Sequence, residues 1–549
     1  MKTPTWTAMI YLAGDNDLNE MMVGCLTGLL KLRGNENCNI FAYYATANPL
    51  DSVALYDFRP RLKDPNGNDI DDLSSYRVPR LGTIPAATLP NSASKQTLID
   101  FVSGCRQESA TEHNILILNG HADAFIGRSL LKDETSLQVM GFSDLKEALI
   151  RVREILGGKK LDVLGFDSCA MNLIETVYEL RETAEILVSP QDFTPESGWN
   201  YAEMLASFTD PAVNVDSHVD NMVVQYIRSQ NQYVISGRSV EISAVRLSNL
   251  EALVSEFANL ADILREYLPC LNADRREENY GDDTYGHPLI TEDDMVMYSQ
   301  ITDLILSTHW FSQTQMTDQS VDIIDFCENL IYECVRLLIN VLSFRGWTSL
   351  VGRRFIKYLI EVYTSCARIL RLMQHIVIKS CHAGNELQFS RGMSIFFPWS
   401  RFAFQLGHST YQHLEFNADS GLRWMSFINR FTHETMRRRD TLMFLRQRKS
   451  LTMDIQIDEK SAFAENIFPD KEAFEKILEI FAKWDPPGKW DPPGKGSLAQ
   501  FREKFGKVKN TQLKLEESEC HTGSIYAKGE TLQDEKKRVR ETRKQKRRY

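Results

Sequence analysis

Short, nearly unbroken apolar runs punctuate the first third of the chain: Ile40 to Thr46, Val53 to Phe58, Asn114 to Leu118 and Leu161 to Phe166. Runs that do not alternate with polar residues predict strands buried on both faces, and such strands belong to parallel sheets. Between them, Ser94 to Cys105 and Asp144 to Leu156 repeat their apolar positions with helical period. The alternation predicts a doubly wound α/β fold, which places its chemistry beyond the strand C-termini. After Gly198 the texture changes, and from about residue 202 to 385 the pattern reads as mostly helical, with amphipathic stretches at Val240 to Tyr267 and Ser320 to Ile376.

Two of the strand readings end at residues capable of nucleophilic chemistry. The run Asn114 to Leu118 leads through Asn119 and Gly120 to His121, and the run Leu161 to Phe166 leads through Asp167 and Ser168 to Cys169. A thiol is mostly protonated at neutral pH, so a nearby imidazole is needed to generate the thiolate and to protonate the leaving amine. Alone, a His or a Cys is more often structural. Together, at two strand ends that a parallel sheet brings to one edge, they point to a cysteine peptidase. Their separation, 169 − 121 = 48 positions, fits the roughly 50-residue His-before-Cys spacing of caspases, although the caspase cysteine signature is missing.

Ordered blocks then resemble the clostripain family, cysteine peptidases with a caspase-like fold. Thr5 to Leu18 resembles its opening strand and Asp-Asn-x-Leu turn; Ile115 to His121 its histidine strand; Phe166 to Met171 its Asp-x-Cys-x-Met segment; and Glu175 to Leu180 the helix that follows. Ser189-Pro190-Gln191 and Gly198-Trp199-Asn200-Tyr201 resemble its next strand end and loop, Gly392 to Pro398 its last core strand, and Leu422-Arg423-Trp424 its closing helix. The resemblance spans about residues 5 to 437. It implies a mostly parallel sheet flanked by helices, with the helical region 202–385 as an insertion or subdomain. The expected organisation is a peptidase domain over 1–437 and a largely irregular C-terminal extension over 438–549.

The resemblance assigns roles. Cys169 is the nucleophile and His121 the general base and acid, with the backbone N–H groups of Ala122 and Cys169 forming the oxyanion hole. The family usually carries Gly where this chain has Ala122; an alanine keeps the N–H but pays more if the position needs φ > 0. Asp167 matches the residue that selects Arg or Lys before the scissile bond, as a carboxylate pairing with a buried cation would; its alternative is a cap on a helix beginning near Cys169. Asp192 and Glu196 are further acids for that pocket, or solvated loop residues. Self-cleavage after a basic residue between the two strands is implied as well, with Lys132 preferred over Arg128 in a segment, Gly127 to Ser136, that reads as an exposed loop.

Composition agrees with a large globular enzyme: 549 residues, 43% hydrophobic and 25% charged. The net charge of −11 argues against general nucleic-acid binding. The ten cysteines show no CxxC pair or metal-ligand spacing. No cofactor is required by the chemistry; calcium enters by family resemblance alone, since the acidic loop Gly281 to Gly286 lacks the spacing of an EF-hand. No apolar run approaches the roughly 20 residues that span a membrane, and no signal-peptide pattern is present at the start, so a cytoplasmic location is expected.

At the other end, Trp484 to Lys489 is repeated as Trp490 to Lys495, and tandem Pro-Pro-Gly continues neither helix nor central strand. Lys536 to Arg548 carries nine Lys or Arg against one Glu, a solvated basic tail through which a nucleic acid, an acidic or regulatory partner protein, or a membrane surface could be met. The expected function is limited cleavage of protein substrates after Arg or Lys. The competing readings are an inactive caspase-like module that binds partners through its helical region and tail, and a peptidase held inactive by that tail.

Overall fold

A computed structural model describes the chain from residue 4 to residue 437, apart from 47, 49–51, 123, 125–129, 267, 269–300, 302–303, 306–319, 344–349, 385–386, 388 and 399–400. Arg128, the acidic loop 281–286, the repeated Pro-Pro-Gly segment and the basic tail lie outside the described residues.

Strand β1 (Trp6–Gly14) is buried at every position, which is why its sequence does not alternate. It is followed by β2 (Cys38–Thr46), β3 (Val53–Asp57), β4 (Arg77–Val78), the small pair β5 (Arg80–Leu81) and β6 (Ile84–Pro85), and β7 (His113–Asn119). Next come a hairpin of β8 (Leu130–Asp133) and β9 (Gln138–Met140), then β10 (Leu161–Asp167), β11 (Ala184–Ser189), β12 (Val240–Arg246), β13 (Ser320–Asp322), β14 (Val377–Ala383) and β15 (Ser394–Phe396). Nine of them form one sheet in the order β14-β12-β11-β10-β7-β1-β2-β3-β4. Its centre, β11-β10-β7-β1-β2, is parallel, and the flanking strands are antiparallel.

Alternate residues of the central strands feed two cores. Met9, Tyr11, Leu116, Leu118, Leu164 and Phe166 pack on one side, beneath helices α2 (Lys95–Glu108) and α3 (Phe142–Ile155). Ile10, Leu12, Ile115, Ile117 and Val163 pack on the other, beneath α1 (Asn19–Leu29) and the helix Val215–Ser229. Helix α3 buries Phe142, Leu145, Ala148, Leu149 and Val152, the one-sided spacing the sequence shows. At about 25 cal/mol per Å² of apolar surface removed from water, these two covered faces supply the main stabilisation of the sheet.

Three expectations change. Val240 to Arg246, read as the start of an amphipathic helix, is strand β12, and only Leu250–Glu266 is helical. Its inward polar residues disguised it: buried Glu241 accepts from the Gln191 and Asp192 N–H groups, and Ser243 Oγ donates to Ser380 Oγ at 3.3 Å across the β12–β14 ladder. The stretch Ser320 to Ile376 opens with strand β13 before two helices, Ile323–Ser343 and Leu350–Ile376. Finally, β15 is not a strand of the main sheet; it pairs with β13 in a separate ladder. The buried Glu175 carboxylate accepts the Phe396 N–H at 3.0 Å and holds β15 against helix α4 (Ile174–Glu179).

Candidate active site

Asn119 and Asp167 are register partners in the parallel pair β7–β10. His121 and Cys169 each follow two residues later, beyond the ends of neighbouring strands about 4.8 Å apart at the C-terminal edge of the sheet. The sequence-based pairing of these two residues is thus a matter of strand register.

The segment after Cys169 is tied down by main-chain bonds. Ala170 N–H donates to Asp192 O at 2.9 Å, and Asn172 N–H to Pro190 O at 3.0 Å. Ala170 has φ +56°, a left-handed conformation costing roughly 1–2 kcal/mol for an L-residue, and the helix starts only at Ile174. The chain therefore turns sharply just past Cys169. Thr194 N–H donates to Cys169 Sγ at 3.4 Å, a donor of the kind that negative charge on sulfur would use. None of the eight described cysteines forms a disulfide.

His121, about a third exposed, is bonded through Nε2 to Asp17 Oδ1 at 2.6 Å. That bond is the main reason the Asp17 carboxyl lies below the usual carboxylate range. Asp17 was given no role by the sequence, because it lies 121 − 17 = 104 positions before the histidine; its only signal was the Asp-Asn-x-Leu turn. The neighbouring Ala122 is buried and has no positive φ; the left-handed residues nearby are Ala124, Leu131 and Ala170. The strain expected for Ala at position 122 is absent. Among the described residues, no acceptor is bonded to the Ala122 N–H.

Asp167 is 3% exposed and does not cap a helix. Its Oδ2 accepts from Asn119 Nδ2 at 2.7 Å, Trp199 N–H at 2.9 Å and Tyr201 OH at 3.0 Å, while its Oδ1 has no hydrogen-bond partner among the described residues. Burial pushes this carboxyl up to about 7 against those donors. Gly198 makes the site possible: at φ +61°, a Cβ there would stand 2.5 Å from Met21 Sδ and 3.3 Å from Asp167 Oδ2. Beside this cluster is a cavity of about 630 Å³ whose walls include Glu20, Met21, Cys25, Lys31, Glu196 and Gly198. Cys169, His121 and Asp167 do not line it; its walls meet the Asp167 carboxylate through Trp199 and Tyr201, which bond it. Glu196 is exposed as a loop acid, whereas Asp192 is buried, its backbone beside Cys169 and its carboxylate near Glu241. The solvated reading of Asp192 does not hold.

Lys132 is not in an exposed loop. It is in β8, its Nζ pairs with Glu134 at 2.7 Å and its carbonyl accepts from Asn16 Nδ2 at 2.8 Å. Leu130, Leu131 and Asp133 around it are buried, because the hairpin packs on β1 and Asp133 accepts bonds from Ser92 and Ser136. Among the described residues no group of three or more His, Cys, Asp or Glu could hold a metal ion. No described helix is long and apolar enough to cross a membrane.

A sheet with a parallel centre, helices on both faces, and a histidine and a cysteine each two residues past the ends of adjacent strands belong to a cysteine peptidase of the caspase-like α/β class. The clostripain family model matches residues 10–431. The chain belongs to that family. Among solved structures it is similar to a secreted C11 cysteine protease from Bacteroides thetaiotaomicron bound to an irreversible peptide inhibitor, at 14% identity and TM-score 0.47, over 76% of this chain and 99% of that one. It is also similar to an inactive zymogen C11 protease from Parabacteroides distasonis, at 16% identity and TM-score 0.47, again over 76% and 99%. No curated protein sequence matches it.

Proposed function

We propose that this peptidase cleaves proteins after Arg or Lys, with Cys169 as nucleophile and His121 as general base and acid. Cys169 Sγ attacks the scissile carbonyl, the amine leaves with a proton from His121, and water then hydrolyses the thioester. The Ala122 and Cys169 N–H groups would hold the oxyanion. The observation that carries this reading is the Asn119–Asp167 register pair, which sets both residues at one sheet edge.

The basic specificity rests on Asp167. A buried carboxylate with one oxygen lacking a partner is the atom an incoming guanidinium or ammonium would satisfy. Self-cleavage after Lys132 belongs to the same proposal and would require the β8–β9 hairpin to open first, which suits limited, regulated proteolysis. Fluorogenic peptides ending in Arg, Lys or Asp, tested beside Cys169→Ala, decide the matter. Release after Arg or Lys that disappears in the variant supports the proposal; release after Asp keeps the peptidase and overturns its specificity.

A further inference from the structure

The histidine has two ring nitrogens, and only one can face the thiol. Nε2 is engaged by Asp17 Oδ1 at 2.6 Å. In the neutral imidazole, an Nε2–H donated to a carboxylate leaves Nδ1 as the lone-pair nitrogen, the one able to accept a proton. We propose that Asp17 is a positioning residue that fixes the His121 tautomer and ring orientation, so that Nδ1 is the nitrogen working with Cys169. The inference rests on the assignment of Cys169 and His121 above and adds a third member to it.

The turn that carries Asp17 is built to hold still. Asn16 Nδ2 donates to Ala13 O at 2.7 Å and to Lys132 O at 2.8 Å, and Asn16 Oδ1 accepts the Leu18 N–H at 3.0 Å. On the other flank, Asp15 O accepts the Glu134 N–H at 2.8 Å and Asp15 Oδ2 the Thr135 N–H at 3.2 Å. The histidine is fixed from the same side, since its own carbonyl accepts the Leu131 N–H at 3.0 Å. Carboxylate and imidazole are therefore both anchored on the β8–β9 hairpin. Asp167, two residues before the nucleophile, is occupied by Asn119, Trp199 and Tyr201 and, among the described residues, has no bond to the imidazole. With its side chain 75% exposed, Asp17 is screened by water, so its role is orientation and not a large electrostatic contribution.

The test uses the full chain and two readouts: peptide cleavage, and the rate at which iodoacetamide alkylates Cys169, followed by mass spectrometry. Asp17→Asn and Asp17→Ala should lower kcat and the alkylation rate by about tenfold, below the roughly 10⁴-fold loss known for a buried triad aspartate, with KM and thermal midpoint unchanged. Asp17→Glu should restore part of the loss. Unchanged kcat and alkylation in both variants, with an active wild type that depends on His121, overturns the inference and leaves the dyad standing. A loss accompanied by a lowered thermal midpoint and no rescue by Glu overturns it as well, in favour of a structural role. A wild type whose Cys169 neither cleaves nor reacts faster than in His121→Ala removes the assignment itself, and the inference with it.

Discussion

Asn119 and Asp167 meet twice, as register partners of β7 and β10 and through a 2.7 Å bond from Asn119 Nδ2 to Asp167 Oδ2. The side-chain bond fastens the last matched position of the two strands, and two residues further on lie His121 and Cys169. Asn119 Nδ2 also reaches Tyr201 OH at 2.9 Å, drawing the Trp199–Tyr201 loop into the same knot.

Removing one strand of that knot should therefore cost both stability and rate. Asn119→Ala leaves a buried carboxylate oxygen and a buried hydroxyl short of a partner, a loss of about 1–3 kcal/mol, read from urea unfolding. With Asp167→Ala the double variant should lose less than the sum of the single losses, because the two share one interaction. Additive losses would mean that the bond contributes nothing specific.

Specificity should depend on pH in a way that isolates Asp167. Its carboxyl, pushed up to about 7 by burial, is neutral below that value and charged above it, and only the charged form favours a cation. The ratio of kcat/KM for an Arg peptide to that for the matching Gln peptide should rise as pH passes through about 7, since titration of the dyad cancels in the ratio. A ratio flat from about pH 5.5 to 8.5 removes Asp167 from the pocket.

Stability should follow the buried glutamates. Burial raises Glu175 and Glu241 to about 8 each, while in the unfolded chain they ionise near 4.3. The folded form thus holds protons the unfolded form has released, so this stabilisation is fully present below about pH 4 and is lost as pH climbs through about 8. The thermal midpoint should fall over that interval, and Glu175→Gln should fall less steeply. A Glu175→Gln slope equal to that of wild type would show that Glu175 does not titrate in this way.

The turn after Cys169 makes its own demand. At φ +56°, Ala170→Gly should be tolerated within about 1 kcal/mol, since glycine's relief of strain offsets its greater unfolded entropy. Ala170→Val should cost activity far more, because a β-branched residue strongly resists the left-handed region. Equal kcat for the two variants would separate the turn from catalysis.

The central strands were legible because both of their faces are covered: Ile115 to Leu118 and Val163 to Phe166 are buried throughout and carry no polar side chain. The same logic explains what was hidden. Strands β12 and β14 carry Glu241, Ser243, Lys379 and His382 at buried positions, so neither shows an unbroken run, and β14 follows Ile376 of a long helix with no turn signal between them. His121 and Cys169 could be paired from strand ends, whereas Asp17 could not, since nothing local ties a turn near the start of the chain to a residue in β7. The exposed-loop reading of Gly127 to Ser136 failed at Leu130, Leu131 and Asp133, where a short polar-looking stretch hides two apolar side chains and a saturated carboxylate.

The adjacency of β7 and β10 in the middle of the sheet governs what a break in the chain would mean. A cut after Lys132 falls between them in sequence, leaving β1 to β7 on one piece and β10 to β15 on the other. The two pieces would still share the β7–β10 ladder and both apolar cores. A nicked molecule would thus run as two bands in denaturing gels and as one particle in native ones, its histidine and cysteine contributed by different polypeptides that never part.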